Sequence, residues 1–151
     1  MLGSLSSEQV EIFLKENLLG RLGCTNGTDV YVVPVCYVYD GQYIFAHSKG
    51  GLKLDMMRYN PSVCLEVDKL QNLANWKSVV VQGVFEEIET DEEKQEAQEK
   101  LADHMLLLKL SDTAKPPHLS AQRLHPDHAG SEETVFYRIR IVSKSGRYER
   151  Q

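Results

Sequence analysis

One corner of the chain gathers groups able to hold an anion: His47, Ser48, Lys49, Gly50, Gly51 and Lys53. Adjacent glycines let backbone N–H groups approach a ligand closely. Lysine brings charge, and a helix that starts there adds positive potential. A phosphate suits this chemistry. The spacing is not the GxxxxGK[ST] of a P-loop, and a Gly-Gly pair ahead of a helix also serves as a plain turn. His47 can give a proton near neutral pH, or it can sit partly buried on a backbone hydrogen bond.

Other residues offer less. His118, His125 and His128 follow the spacing HxxxxxxHxxH in a stretch interrupted by prolines, and no carboxylate–histidine pair falls on a helix face. Exposed loop histidines account for them better than a metal site. The residue types of a Ser-His-Asp triad are present, but no spacing assembles one. Trp76 can anchor a core or stack on a planar ring. Cys24, Cys36 and Cys64 form no CxxC and read as free thiols in a reducing cytoplasm.

The elements that must carry these groups are mostly strands. Ser6 can cap a first helix, with Gln9 completing a capping box and Leu5 stapling onto Val10. That helix should end near Asn17. Strands are expected at 18–25, 30–39 and 42–46, joined by Asn26-Gly27 and Asp40-Gly41 turns into an antiparallel meander. Pro34 should lie on an edge or where pairing breaks. A short helix at 50–59, with Leu52, Met56 and Tyr59 along one side, stops at Asn60-Pro61. Further strands are expected at 62–68 and 78–87, separated by a polar loop at 69–75. Gly83 suggests a bulge or a close backbone approach. A long helix at 90–110 is capped by Thr90 and buries Ala97, Leu101, Met105 and Leu108. Residues 111–133 read as loop. A last strand at 134–143 turns Val135, Tyr137, Ile139 and Ile141 one way and Arg138 and Arg140 the other. Six strands with tight hairpins point to a mostly β protein: a six-stranded antiparallel barrel with helices packed outside.

Bulk properties fit one domain over residues 1–151. No apolar run has the length of a membrane span, and the N-terminus lacks the pattern of a secretory signal. A net charge of −5 argues against a nucleic-acid binder. Nine acids and two bases between residues 86 and 103 give that run −7, so the remainder is +2 and can accept a small anion. The acidic run itself reads as a solvated face.

The run VVPVCYVYDGQYIFAHSKGGLKLDMMRYNPSVCLEVD, followed by WKSVVVQGVFEEI, resembles the flavin-binding split β-barrel proteins of the pyridoxamine-phosphate-oxidase-like family. The likeness is nearest to the nitroimidazole-reductase-like branch. The resemblance implies a six-stranded split barrel, a homodimer and FMN in a cleft at the dimer interface. It places Val33, Pro34, Val35 and Cys36 along the isoalloxazine ring, with Ala46 and His47 at the next strand's end. Ser48, Gly51 and Lys53 fall on the phosphate, and Trp76 and Ser78 where another strand meets the flavin. In the nitroimidazole-reductase-like branch the histidine matching His47 sits close to the flavin.

True pyridoxamine-phosphate oxidases carry an Arg-Lys pair where this chain has Leu52-Lys53. They end in an arginine- and histidine-rich segment that RIRIVSKSGRYERQ lacks. The resemblance therefore implies flavin binding without oxidation of pyridoxamine phosphate. It implies an oxidoreductase that passes electrons from a transient nicotinamide donor to a small acceptor, nitroaromatics included. No GxGxxG marks a resident dinucleotide. A haem-binding barrel, with His118, His125 or His128 as axial ligand, and a flavin carrier or sensor without turnover are the alternatives.

Overall fold

The computed structural model describes residues 1–108 and 134–151. The expected loop at 111–133, with His118, His125 and His128, lies outside the described residues. The described elements are β1 (Leu2–Ser4), α1 (Ser7–Glu16), β2 (Leu19–Thr25), β3 (Val30–Cys36), β4 (Val38–Tyr39), β5 (Tyr43–Ser48), α2 (Leu52–Tyr59), β6 (Ser62–Asn72), β7 (Asn75–Glu87), α3 (Asp91–Leu107) and β8 (Val135–Glu149).

Local signals set most boundaries. Ser6 accepts from the Gln9 N–H, and the Gln9 side chain accepts from the Ser6 N–H, so the expected capping box is present. Leu5 and Val10 close together over Gly146, where a Cβ would lie 2.8 Å from Leu5. The hydrophobic staple thus grips the strand beneath it. Thr90 caps α3 through the Glu93 N–H. The Asn26 turn is wider than a two-residue hairpin: Thr25 pairs with Val30, and the Asn26 side chain accepts from the Thr28 and Asp29 N–H groups.

The eight strands form one antiparallel sheet in the order β3-β2-β6-β7-β8-β5-β4, with β1 added on β8. The expected fold class holds, but the strand count rises from six to eight. Leu2–Ser4 pairs with the end of β8, a contact with no local pattern to announce it. The long run at 30–39 is broken at Tyr37 into β3 and β4. That break undoes the expected meander. β3 pairs with β2 and β4 pairs with β5, at opposite ends of the sheet order. Tyr37 alone joins the two edges, so the sheet curls until its edges meet there and part beyond it. Its N–H donates to Leu18 O and its hydroxyl to Leu14 O, which holds the corner on β2 and α1.

Pro34 sits on the edge strand β3, opposite Arg21, as its missing N–H requires. At Gly83 the β7–β8 register slips, and a Cβ there would lie 2.4 Å from the Ile139 side chain and 2.7 Å from Arg140 O. Both expected features of that glycine are present.

The curled sheet encloses the main core, with Leu22, Ile44, Leu65, Val67, Val79, Val81 and Tyr137 fully buried. A second cluster, Val38, Phe45, Ile88, Ala97, Leu101 and Phe136, lies under α3. Phe136 and Tyr137 are adjacent in β8 and face opposite ways, so both faces of this stretch are covered. The stripe expected on α2 is corrected. Leu54, Met56 and Met57 are buried, while Leu52 and Tyr59 are 54% and 77% exposed. Met56 docks on Cys24 at 3.8 Å between sulfurs, which turns that side of the helix inward. The expected polar loop at 69–75 is mostly strand, because the β6–β7 ladder runs out to Asn72 and Asn75.

Candidate functional site

Beyond Tyr37 the barrel is open. β5 pairs with β8 as far as Ser48, but with β4 only at Ile44 and Phe45. Among the described residues β3 has β2 on one side and no strand on the other. The edges of Val33–Cys36 and of Ala46–Ser48 therefore flank the split. Backbone groups on such an edge can bind a ligand in place of a strand. Along β3, Val33 packs against the core and Val35 is buried, so Pro34 and Cys36 turn to the outer face. Ala46 is buried and can offer only its backbone. His47 is partly buried, with its ring centroid 5.6 Å from that of Phe136 and tilted by 53°.

The chain leaves β5 through Gly50 and Gly51, at φ of 94° and 99°. An ordinary side chain would be strained at either position. Ser48 donates back to Gly50 O at 3.3 Å and so braces the turn. Among the described residues α2 begins without a side-chain cap, and its first N–H groups have no intrahelical acceptor.

Lys53 stands in the first turn of this helix. Burial pushes its amine below the usual lysine range, and nearby Cys24 opposes that shift. The Cys24 thiol is itself pushed up by burial. Among the described residues no carboxylate lies within ion-pair reach of Lys53. A partly buried ammonium without a counter-ion is costly. A phosphate or other anion at this corner would remove the cost, so the residues present fit the phosphate of a nucleotide.

Trp76 stands well along the sheet from this corner within one chain. Gly23, next to Cys24, pairs with Cys64, whereas Trp76 pairs with Leu70 six residues further along β6. At ~3.3 Å per residue that is about 20 Å away. Ser78 is already engaged: it donates to Glu66 at 2.9 Å, and Glu66 and Asp68 both pair with Arg21. Burial and the adjacent Asp68 push the Glu66 carboxyl up.

This network lies on the outer sheet face beside exposed Val30, Val32 and Val142, at 77%, 61% and 65%. A groove of about 700 Å³ runs past Val32, Cys64, Val84 and Val142. The sequence reading did not single out this face, although its alternating pattern along β3 was visible. His104 was missed as well. It is buried, and its Nε2 is 2.8 Å from Asn17 O, tying α3 to the end of α1. The acidic run is not merely solvated either, since Glu86 and Glu87 pair with Arg138, Arg140 and Arg58.

Known proteins share this architecture. A curated relative, an uncharacterized protein of Rhizobium meliloti, is 34% identical over 84 residues, 56% of each chain. The match spans just over half of that relative's length. The crystal structure of a FAD-binding protein from Mesorhizobium loti is 30% identical, with a TM-score of 0.74 over 100% of this chain and 98% of that one. The structure of a candidate 5-nitroimidazole antibiotic resistance protein from Bacteroides thetaiotaomicron shares the fold at 18% identity. Its TM-score is 0.71, covering 98% of this chain and 87% of that one. Among the described residues no helix is long and apolar enough to cross a membrane. The family model described as pyridoxamine 5'-phosphate oxidase matches residues 6–148, so by nearly its whole length the chain belongs to that family.

Proposed function

We propose that this protein binds FMN in the split beside β3 and uses it to reduce a small acceptor, nitroaromatics among them. The observation that carries the reading is Lys53: a partly buried ammonium, with no carboxylate of the described residues in reach, at a Gly-Gly turn that opens a helix. A bound flavin supplies the two-electron redox chemistry. Lys53 and the free N–H groups after Gly51 hold its phosphate. The backbone of Val33, Pro34, Val35 and Cys36 lies along one side of the ring system, with Ala46 on the other. His47, set against Phe136, is the proton donor to the acceptor. β3, β5 and α2 keep water from the phosphate end of the split, which strengthens each charged contact.

The site is completed by a second copy of the chain. Trp76 lies about 20 Å along the sheet from the Gly23–Cys64 rung beside the Lys53 corner, and the outer face carries the apolar surface a dimer would bury. Two copies packed through that face would bring one protomer's Trp76 end towards its partner's split. The electron donor is a nicotinamide that visits without a dedicated domain, and the setting is the cytoplasm.

Absorption and mass spectra of the purified protein test the reading. Flavin bands with the mass of FMN are expected. The mass of FAD, which the Mesorhizobium loti structure is named for, would correct the nucleotide and leave the cradle in place. A Soret band without flavin would overturn it. NADH or NADPH consumption should rise with nitroaromatic acceptors. A rate equal to that of free FMN would make the protein a flavin carrier or sensor.

A further inference from the structure

A charge cluster sits in the middle of the outer sheet face. Val63, Leu65 and Val67 are buried, so the alternate residues of β6, Cys64, Glu66, Asp68 and Leu70, turn outward. On β7, Val79 and Val81 are buried, and Trp76, Ser78 and Val80 share the outer face. Glu66 and Asp68 both pair with one cation, Arg21, at 3.5 and 2.8 Å. Ser78 donates to Glu66 at 2.9 Å. Two carboxylates against one guanidinium leave a formal −1. Burial and the neighbouring Asp68 push the Glu66 carboxyl up, against the pull of Ser78 and Arg21. The other ionisable groups that share this face are Cys64 on β6, Cys36 on β3, and Arg147 and Glu149 on β8. Arg147 pairs with Ser78, which pairs with Asp68, so it stands about 10 Å from Asp68 at ~4.8 Å per strand. Among the described residues no carboxylate is within ion-pair reach of Arg147.

A homodimer joins the same patch of both copies about a two-fold axis. For the Trp76 end of one copy to reach the other's split, that axis must exchange the Leu70–Trp76 rung with the Gly23–Cys64 rung. The point of β6 midway between Leu70 and Cys64 is Val67, and Glu66 and Asp68 flank it. Each acid pair therefore lies at the axis and faces the same pair of the other copy. Four carboxylates then share two Arg21 guanidiniums, a formal −2 in a face that is otherwise partly apolar. Like charges held this close do not all stay ionised once water leaves. One proton on each pair restores neutrality.

We infer that each Glu66–Asp68 pair takes up a proton when two copies close through the outer face, so that the dimer strengthens as pH falls. The inference rests on the dimer proposed for the flavin site. The closed pair keeps a proton that the open pair releases at neutral pH. Association therefore tightens on acidification and levels off once the open pair is protonated as well.

Sedimentation velocity of the full chain at about pH 8 and about pH 6, with flavin absorbance read in the same cell, tests this. The dimer Kd should fall about ten-fold or more between the two. The net charge of −5 also shrinks in acid, and Glu66→Gln separates that general effect from the pair. This variant supplies the neutrality without a proton. Its dimer at the higher pH should match wild type at the lower, with no more than about a two-fold change of its own. Should it melt early, Asp68→Asn carries the same reading. A Kd unchanged or raised in acid would overturn the inference, as would an undiminished pH response in these variants or a chain that stays monomeric throughout. Loss of the dimer in Arg147→Gln at both pH values would do so too, because Arg147 would then be the counter-ion. Absent flavin bands beside an intact pH response would sink the flavin assignment alone.

Discussion

The flank of the barrel where α1 meets β8 and the split beside β3 handle charge in opposite ways. On the flank, Lys144 pairs with Glu11 and accepts company from Tyr39, whose hydroxyl lies 2.6 Å from Glu11 Oε2. Every group there has a partner supplied by the fold. At the split, Lys53 is buried to a similar purpose with no such partner among the described residues. A fold that places arginines beside Glu86, Glu87 and Glu66 can pair its cations. Where the described residues give a partly buried cation no carboxylate, an external anion would complement it. The contrast separates a cation paired within the fold from one that has no such partner among the described residues.

The largest expected effect breaks the closed side. Gly83→Ala drives a Cβ into Ile139 and Arg140 O, and should cost about 3 kcal/mol, or on the order of 10 °C in Tm. A calorimetric scan checks it, and an unchanged Tm would mean the β7–β8 seam yields more readily than its register implies. At the split, His47→Ala should lower acceptor turnover on the order of 100-fold while leaving Tm within about 3 °C. A large fall in Tm with normal turnover would make His47 a packing residue against Phe136.

Lys53→Ala should weaken flavin retention roughly ten- to a hundred-fold, the range for a charge-assisted contact. Flavin content after dialysis reads it. The same change should leave the flavin-free protein as stable or slightly more so, because it removes an uncompensated ammonium. The sign follows from the lowered amine. Its destabilising effect is full below the folded pKa and fades as pH rises towards the ordinary 10.5. Any advantage of the variant should shrink over that window.

Glu11→Gln is the smallest test. Burial raises the Glu11 carboxyl, but Lys144 and Tyr39 outweigh it and hold it below the ordinary 4.5. Its contribution, no more than about 1 kcal/mol, is present above 4.5 and lost as pH falls through the lower folded value. Denaturation of wild type and variant should differ at neutral pH and converge in acid. Equal stability at both would show the triad adds nothing net.

Much of this was legible in the chain because the signals are local. The Ser6–Gln9 box, the Thr90 cap, the edge position of Pro34, the close approach at Gly83 and the Gly50-Gly51 turn all depend on neighbours a few residues apart. The resemblance carried the family and the split barrel, which the residues 6–148 match bears out. What failed depended on distant partners. The run at 30–39 reads as one strand, and nothing within it says that Tyr37 will bond to Leu18 and Leu14 and send its two halves to opposite sheet edges. The inward side of α2 follows from Cys24, thirty-two residues away.

The amino-acid order by itself determined which groups are available: a lysine after two glycines, a histidine at a strand end, alternating faces on long strands. Those follow from backbone sterics and short-range periodicity. Tertiary structure decided which cations keep a counter-ion. Pairing is settled by strand register and helix docking, and these bring Arg138 onto Glu86 and Lys144 onto Glu11 but give Lys53 no carboxylate among the described residues.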